Sequence, residues 1–98
     1  METGLFALTD TVHDEKSFLG FLVALRKDRE QEAAMEQANP SSPYEAGVHG
    51  WQNLTIEGFL GSAVAWAEAT EQNTEYYSKP PNPWQRAAQI ILAGKSYE

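Results

Sequence analysis

Histidine is the side chain best suited to proton transfer near neutral pH, and this chain has two, His13 and His49. A nucleophilic triad needs a serine or threonine beside a histidine, together with an acid that orients the ring. His13 precedes Asp14, but Asp14 is better explained as a helix N-cap. The sequence therefore predicts no catalytic residue, and an enzyme or small-ligand site near His49 and Trp51 stays open as one interpretation.

Metal-binding side chains are equally sparse. The chain has no cysteine, and neither histidine belongs to a His-Xaa-Xaa-Xaa-His or Glu-Xaa-Xaa-His spacing. Glu30, Glu32 and Glu36 could supply carboxylates, but they follow closely on Arg26, Lys27 and Arg29. Acidic and basic residues close together on a helix are typical of a solvated, ion-paired helix end. We expect neither a metal site nor a cofactor.

Composition sets the class of protein. With 98 residues and 42% hydrophobic side chains, the chain is long enough for one small domain, predicted to span residues 1–98. The net charge of −7 disfavours direct nucleic-acid binding and permits attraction to a basic protein. No signal peptide or bilayer-length apolar run is recognisable. We therefore expect a cytoplasmic protein that does not bind membranes.

The elements that must position any site are helices. We predict an all-α bundle of three main helices, about 14–37, 55–71 and 83–93, with a short extra helix around Leu5 to Thr11. In the first main helix, four apolar residues recur at helical spacing: Phe18, Phe21, Leu22 and Leu25. Leu19 and Val23 form a second ridge, which predicts that this helix touches more than one neighbour.

The second main helix has an apolar stripe and an opposite face of small residues. The stripe is predicted to face inward and consists of Ile56, Phe59, Leu60, Ala63, Val64 and Ala67. Glycine in a helix costs about 1 kcal/mol relative to alanine, so the small residues Gly58, Gly61 and Ala65 suggest close approach of another backbone. A self-associating structural domain that uses this face is one interpretation, and an indifferent exposed face is another.

The third main helix carries clear boundary signals. Asn82 is a predicted N-cap and Pro83 suits the first helical position. Trp84 is predicted to face inward with the apolar residues that follow it. Gly94 is placed where a helix commonly ends on a glycine.

The two connections hold the aromatic residues that could bind a partner. Residues 39–53 are a long irregular stretch, which either carries function or is pinned to the core by its apolar residues, and we favour pinning. Residues 71–82 contain a tyrosine pair near several glutamates. Candidate partner-binding residues are Tyr44, His49, Trp51, Tyr76 and Tyr77, because tyrosine and tryptophan are common interface anchors.

Three stretches resemble a family of short uncharacterised bacterial proteins. They are the Gly-Trp and Thr-Ile-Glu elements within residues 50–60, the Asn-Pro-Trp element of residues 82–84, and the Gly-Lys-Ser-Tyr-Glu run of residues 94–98. The resemblance implies a bacterial or phage source and a stand-alone small domain. It supplies no catalytic residue.

Together these observations favour a small acidic protein-binding module. An immunity- or inhibitor-like protein that acts on a basic protein partner is one concrete form of that hypothesis. Homo-oligomerisation through Gly58, Gly61 and Ala65 is the structural alternative.

Overall fold

The computed structural model describes residues 4–38 and 50–97, and within them the fold is all-α. Four helices occur in chain order: α1 (Gly4–Thr9), α2 (Glu15–Ala38), α3 (Ile56–Ala69) and α4 (Pro83–Ala93). The three predicted main helices and the short N-terminal helix are confirmed, with boundaries that differ by at most two residues for the main helices. Tyr44 and His49 lie outside the described residues.

Local side-chain caps explain where the helices begin. Ser17 N–H donates to Asp14 Oδ1 at 2.9 Å, and His13 and Asp14 N–H groups both donate to Ser17 Oγ. This reciprocal arrangement is a capping box in which serine replaces the usual glutamate. Thr55 Oγ1 accepts from Gly58 N–H at the start of α3.

The N-terminus of α4 follows the predicted pattern closely. Asn82 Oδ1 accepts from the N–H groups of Trp84 and Gln85, and Pro83 occupies the first helical turn. These bonds satisfy N–H groups that the first turn of a helix leaves without intrahelical acceptors.

The core lies between α1, α2 and α4. Its buried apolar members are Val12, Phe21, Leu25, Trp51 and Ala88, with Phe18 and Leu22 packed against them. The predicted inward stripe of α2 is therefore confirmed, whereas Leu19 and Val23 are exposed. Trp84 lies at the edge of the core, where its ring centroid is 5.5 Å from that of Phe18.

Helix α3 lies to one side of this core. Among the described helices, its backbone approaches only α4, which itself packs against α1 and α2 as well. Gly94 allows this approach, because a Cβ there would lie 2.7 Å from the Phe59 carbonyl oxygen. Gly94 has φ −61°, an ordinary right-handed helical value, so close packing and not a left-handed backbone conformation explains the glycine.

The predicted inward stripe of α3 is only partly correct. Ala63 is buried and Phe59 and Ala67 are half-buried, but Ile56, Leu60 and Val64 point to solvent. The reason is that α3 has a single helical neighbour, so only a narrow strip of its apolar surface can be covered.

Candidate functional site

The largest concentration of buried polar groups surrounds Trp51. The Trp51 indole N–H donates to Asp28 Oδ2 at 2.8 Å, and the Trp51 backbone N–H donates to Glu32 Oε1 at 3.2 Å. Lys95 Nζ also lies 2.8 Å from Asp28 Oδ2. We call Asp28, Glu32, Trp51 and Lys95 the Trp51 cluster, and it joins α2, the segment before α3 and the segment after α4.

Burial shows that the Trp51 cluster belongs to the interior. The side chains of Lys95 and Asp28 are 13% and 7% exposed, and Glu32 is 1% exposed. Carboxylates are removed from water only where charge and hydrogen bonds compensate for lost hydration. Here an ammonium ion and two N–H groups of one tryptophan supply that compensation.

Backbone bonds strengthen the same junction. The N–H groups of Gln52 and Asn53 both donate to the Lys95 carbonyl oxygen, at 3.0 and 3.2 Å. Asn53 Nδ2 donates to the Gly94 carbonyl oxygen at 3.0 Å. The preferred interpretation of the first connection, pinning to the core, therefore holds for residues 51–53.

The Trp51 cluster corrects one prediction from the sequence. Glu32 is not part of a solvated helix end, since its carboxylate is buried and accepts from Trp51. Glu30 does behave as expected, with an exposed contact of 3.8 Å to Arg26. The residue spacing in the sequence does indicate this burial. Asp28 and Glu32 continue the inward stripe of Phe21 and Leu25, and a carboxylate in such a buried position needs an internal partner.

This geometry gives little support to a small-ligand or catalytic site beside Trp51. Trp51 is 6% exposed, its indole N–H already donates to Asp28, and its ring stacks on Phe59 with centroids 6.1 Å apart. A neighbouring depression of about 210 Å³ is lined by Arg29, Leu54 and Ile56, among others. Its volume is below the range of about 300–1,000 Å³ typical of ligand pockets.

His13 is accounted for by local structure. Its Nδ1 lies 2.9 Å from the Thr11 carbonyl oxygen, and its Nε2 lies 3.5 Å from Asp14 Oδ2. Hydrogen bonds from the Ser17 hydroxyl and then the Ser17 backbone hold the pKa of Asp14 below its ordinary value. The acid is therefore a helix cap, as the sequence predicts. In residues 4–38 and 50–97, no three histidines or carboxylates are grouped as metal ligands.

The two residues of the predicted tyrosine pair, Tyr76 and Tyr77, lie in different environments. Tyr76 is 90% exposed. Tyr77 is half-buried, and its ring meets Trp66 edge-on with centroids 5.4 Å apart. Arg86 donates to the Tyr77 hydroxyl at 2.9 Å, and the Arg86 guanidinium lies 5.0 Å from the Trp66 ring centroid. Of this pair, Tyr76 is therefore the residue available as an exposed interface anchor.

The small residues of α3 also differ from one another in the space around them. Gly58 is half-buried, and a Cβ there would lie 2.9 Å from Thr55 Oγ1. Its absence of a side chain thus leaves room for the N-cap hydroxyl. Gly61 has open space around it, and Ala65 is exposed.

Four large aliphatic side chains make the most conspicuous exposed surface. Leu54, Ile56, Leu60 and Val64 are 62%, 78%, 53% and 55% exposed. The three helical members follow one another at intervals of four residues, which places them along one side of α3. We call these four residues the α3 outer surface. Sequence reasoning found its residues but assigned the helical ones to the core.

None of the described helices is both long and apolar enough to cross a bilayer. No family model matches the chain, and no curated protein or solved structure is significantly similar to it.

Proposed function

We propose that this chain is a protein-binding module that docks a partner on the α3 outer surface. The observation that carries the proposal is the exposure of Leu54, Ile56, Leu60 and Val64. The last three lie along one side of α3, and Leu54 and Ile56 line the same depression. Exposed apolar residues scattered singly are normal, but contiguous patches of a few hundred Å² commonly mark interaction sites.

Apolar burial on the α3 outer surface would contribute to the stability of such a complex. Full burial of a leucine, isoleucine or valine side chain contributes about 1.5–3 kcal/mol. Each of these four side chains is already partly covered, so a partner gains roughly half of that per residue. A partner ridge that covers all four therefore gains several kcal/mol before charge is considered.

Charge defines the chemistry of the partner. Residues 50–78 contain four glutamates and neither lysine nor arginine. Glu57 and Glu68 are exposed on α3, and the net charge of the chain is −7. Complementary charge steers association and selects partners. The partner that fits is an amphipathic protein segment with an aliphatic ridge flanked by lysine or arginine.

The proposal assigns no catalytic residue to this chain. An immunity- or inhibitor-like protein, which covers a basic surface of another protein, is its concrete form. Tyr76, exposed in the acidic segment after α3, is a further candidate contact.

Self-association through Gly61 and Ala65 is the second candidate, because both residues lie exposed on α3. Two copies that meet through this helix would bring Glu57 and Glu68 of one copy towards the same acids of the other. Like charges at close range oppose association. A basic partner therefore suits the surface better than a second copy.

A designed peptide tests the partner class directly. The probe is a fourteen-residue helical peptide with leucine on one face and lysine on the other, and the control peptide carries glutamate in place of lysine. We expect calorimetry to show salt-sensitive binding of the lysine peptide alone. Leu60→Gln should weaken it about five- to tenfold, whereas Leu19→Gln, at a similarly exposed leucine of α2, should not.

Equal binding of both peptides, or binding unaffected by Leu60→Gln, would overturn the proposal. Sedimentation of the protein alone decides the alternative. A dimer that Gly61→Leu converts to monomer would establish self-association, and a monomer at high concentration would exclude it.

A further inference from the structure

A second surface feature lies beside α4 and includes Gln89, Leu92 and Ala93 of that helix. It is a cavity of about 570 Å³, within the range of about 300–1,000 Å³ typical of small-molecule sites. Aromatic rings of Phe6, Trp66 and Tyr97 line it together with Leu92. Residues from α1, α3, α4 and the segment after α4 thus converge on one space.

The polar lining of the cavity is neutral. It consists of the side chains of Gln52, Gln89 and Ser96 with the polar atoms of the aromatic residues. Gln52 and Ser96 are exposed, and Trp66 and Gln89 are half-buried. An apolar cavity with a few convergent polar groups is the usual form of a ligand site.

One of these polar groups is held in a fixed orientation. Arg86 Nη1 donates to the Tyr77 hydroxyl at 2.9 Å, so that hydroxyl donates its own hydrogen to Gln89 Oε1 at 2.6 Å. Arginine has no acceptor, which fixes the direction of this chain of bonds. Gln89 therefore keeps its amide hydrogens as donors beside the cavity.

From this geometry we infer that the cavity binds a small neutral aromatic molecule that carries an acceptor oxygen. The aromatic rings and Leu92 would contact the flat apolar body, and the Gln89 amide would donate to the oxygen. A charged ligand fits less well, because none of the described residues that line the cavity carries a charged side chain. The site shares no residue with the α3 outer surface, so it stands or falls independently of the proposed function.

The test uses coumarin as the probe and naphthalene as a control of the same bicyclic size without oxygen. Spectra of ¹⁵N-labelled protein follow the Trp66 indole N–H during each titration. We expect saturable shifts with coumarin and binding of naphthalene about tenfold weaker, the usual contribution of one hydrogen bond.

Two variants locate the site. Ser96→Phe fills the cavity and should abolish the coumarin shifts, whereas Ser78→Phe, the same change at an exposed serine elsewhere, should leave them intact. Gln89→Glu keeps the acceptor for Tyr77 but removes the amide donors, and it should weaken coumarin about tenfold without affecting naphthalene.

Absence of saturable coumarin shifts at Trp66, or unchanged binding in Ser96→Phe, would overturn the inferred site. Equal binding of coumarin and naphthalene, or indifference to Gln89→Glu, would overturn the inferred recognition of an acceptor oxygen. The spectra of each variant also report whether it is folded.

Discussion

The Trp51 cluster and the α3 outer surface place polar and apolar groups in opposite ways. In the cluster, two carboxylates and an ammonium ion are almost fully buried. On the outer surface, four aliphatic side chains are more than half exposed. Residue type alone therefore does not decide burial in this fold. Buried charge is found where three segments are joined, and the α3 outer surface belongs to a helix that has one helical neighbour among the described residues.

The largest expected effect comes from removing the centre of the Trp51 cluster. Trp51→Ala deletes a buried aromatic ring together with its stacking on Phe59 and its hydrogen bond to Asp28, which should lower the free energy of unfolding by about 4 kcal/mol. Urea denaturation measures the loss. Trp84→Ala is the matched control, because Trp84 is 37% exposed and should cost less than half as much. Equal losses would contradict a special structural role for Trp51.

The ion pair within the cluster should give the next largest effect. Lys95→Met removes the cation from a carboxylate that stays buried, and we expect a loss of about 2–3 kcal/mol. Adding Asp28→Asn removes the buried charge as well, so the double variant should be less destabilised than the sum of the two single variants. Additive losses in urea denaturation would show that the two side chains do not act as a pair.

Two glycines allow the covered and exposed sides of α3 to be compared. Gly94, at the end of α4, packs against the covered side, and Gly61 lies on the exposed side. Gly94→Ala would place a Cβ 2.7 Å from the Phe59 carbonyl oxygen, and the resulting displacement should cost about 1–3 kcal/mol. Gly61→Ala adds a methyl group in open space and should stabilise the helix by about 0.5–1 kcal/mol. Thermal denaturation of both variants checks the signs. A stabilising Gly94→Ala would mean that α3 and α4 do not pack this closely.

The smallest effect is expected at the N-cap of α2. This cap belongs to neither the Trp51 cluster nor the α3 outer surface, and it serves as a reference for an exposed polar contact. The lowered pKa of Asp14 means that its ionised form favours the folded state. This stabilisation is present above the ordinary pKa of aspartate and is lost as pH falls through the lowered pKa.

Ser17→Ala should therefore destabilise the protein at neutral pH and have a smaller effect in strong acid. Ser78→Ala, at an exposed serine outside the helices, should have little effect at either pH. Thermal midpoints at the two pH values test this, and a destabilisation independent of pH would contradict it.

Features that depend on neighbouring residues in the chain could be predicted from the sequence. The sequence predicts Asp14 and Asn82 as N-caps and a helix that begins near residue 55, because a cap needs only the side chain and N–H groups two or three positions away. The inward stripe of α2 was also identified. The helices that pack against α2 cover the side where Phe21 and Leu25 lie.

Features that depend on contacts distant in the chain could not be predicted. The exposure of Ile56, Leu60 and Val64 follows from the number of helices that reach α3, which its own periodicity does not encode. The burial of Glu32 depends on the N–H of Trp51, 19 positions away. The cavity beside Gln89 could not be predicted from any single segment either, because the residues that line it are distant in the chain.

The Trp51 cluster also imposes an order on folding during synthesis. Asp28 and Lys95 are separated by 67 positions, so α2 leaves the ribosome long before the lysine that neutralises its aspartate has been added. Contacts between distant positions form slowly, because a long loop must close before they contribute. The core can therefore reach its final packing only after residue 95 has emerged from the ribosome.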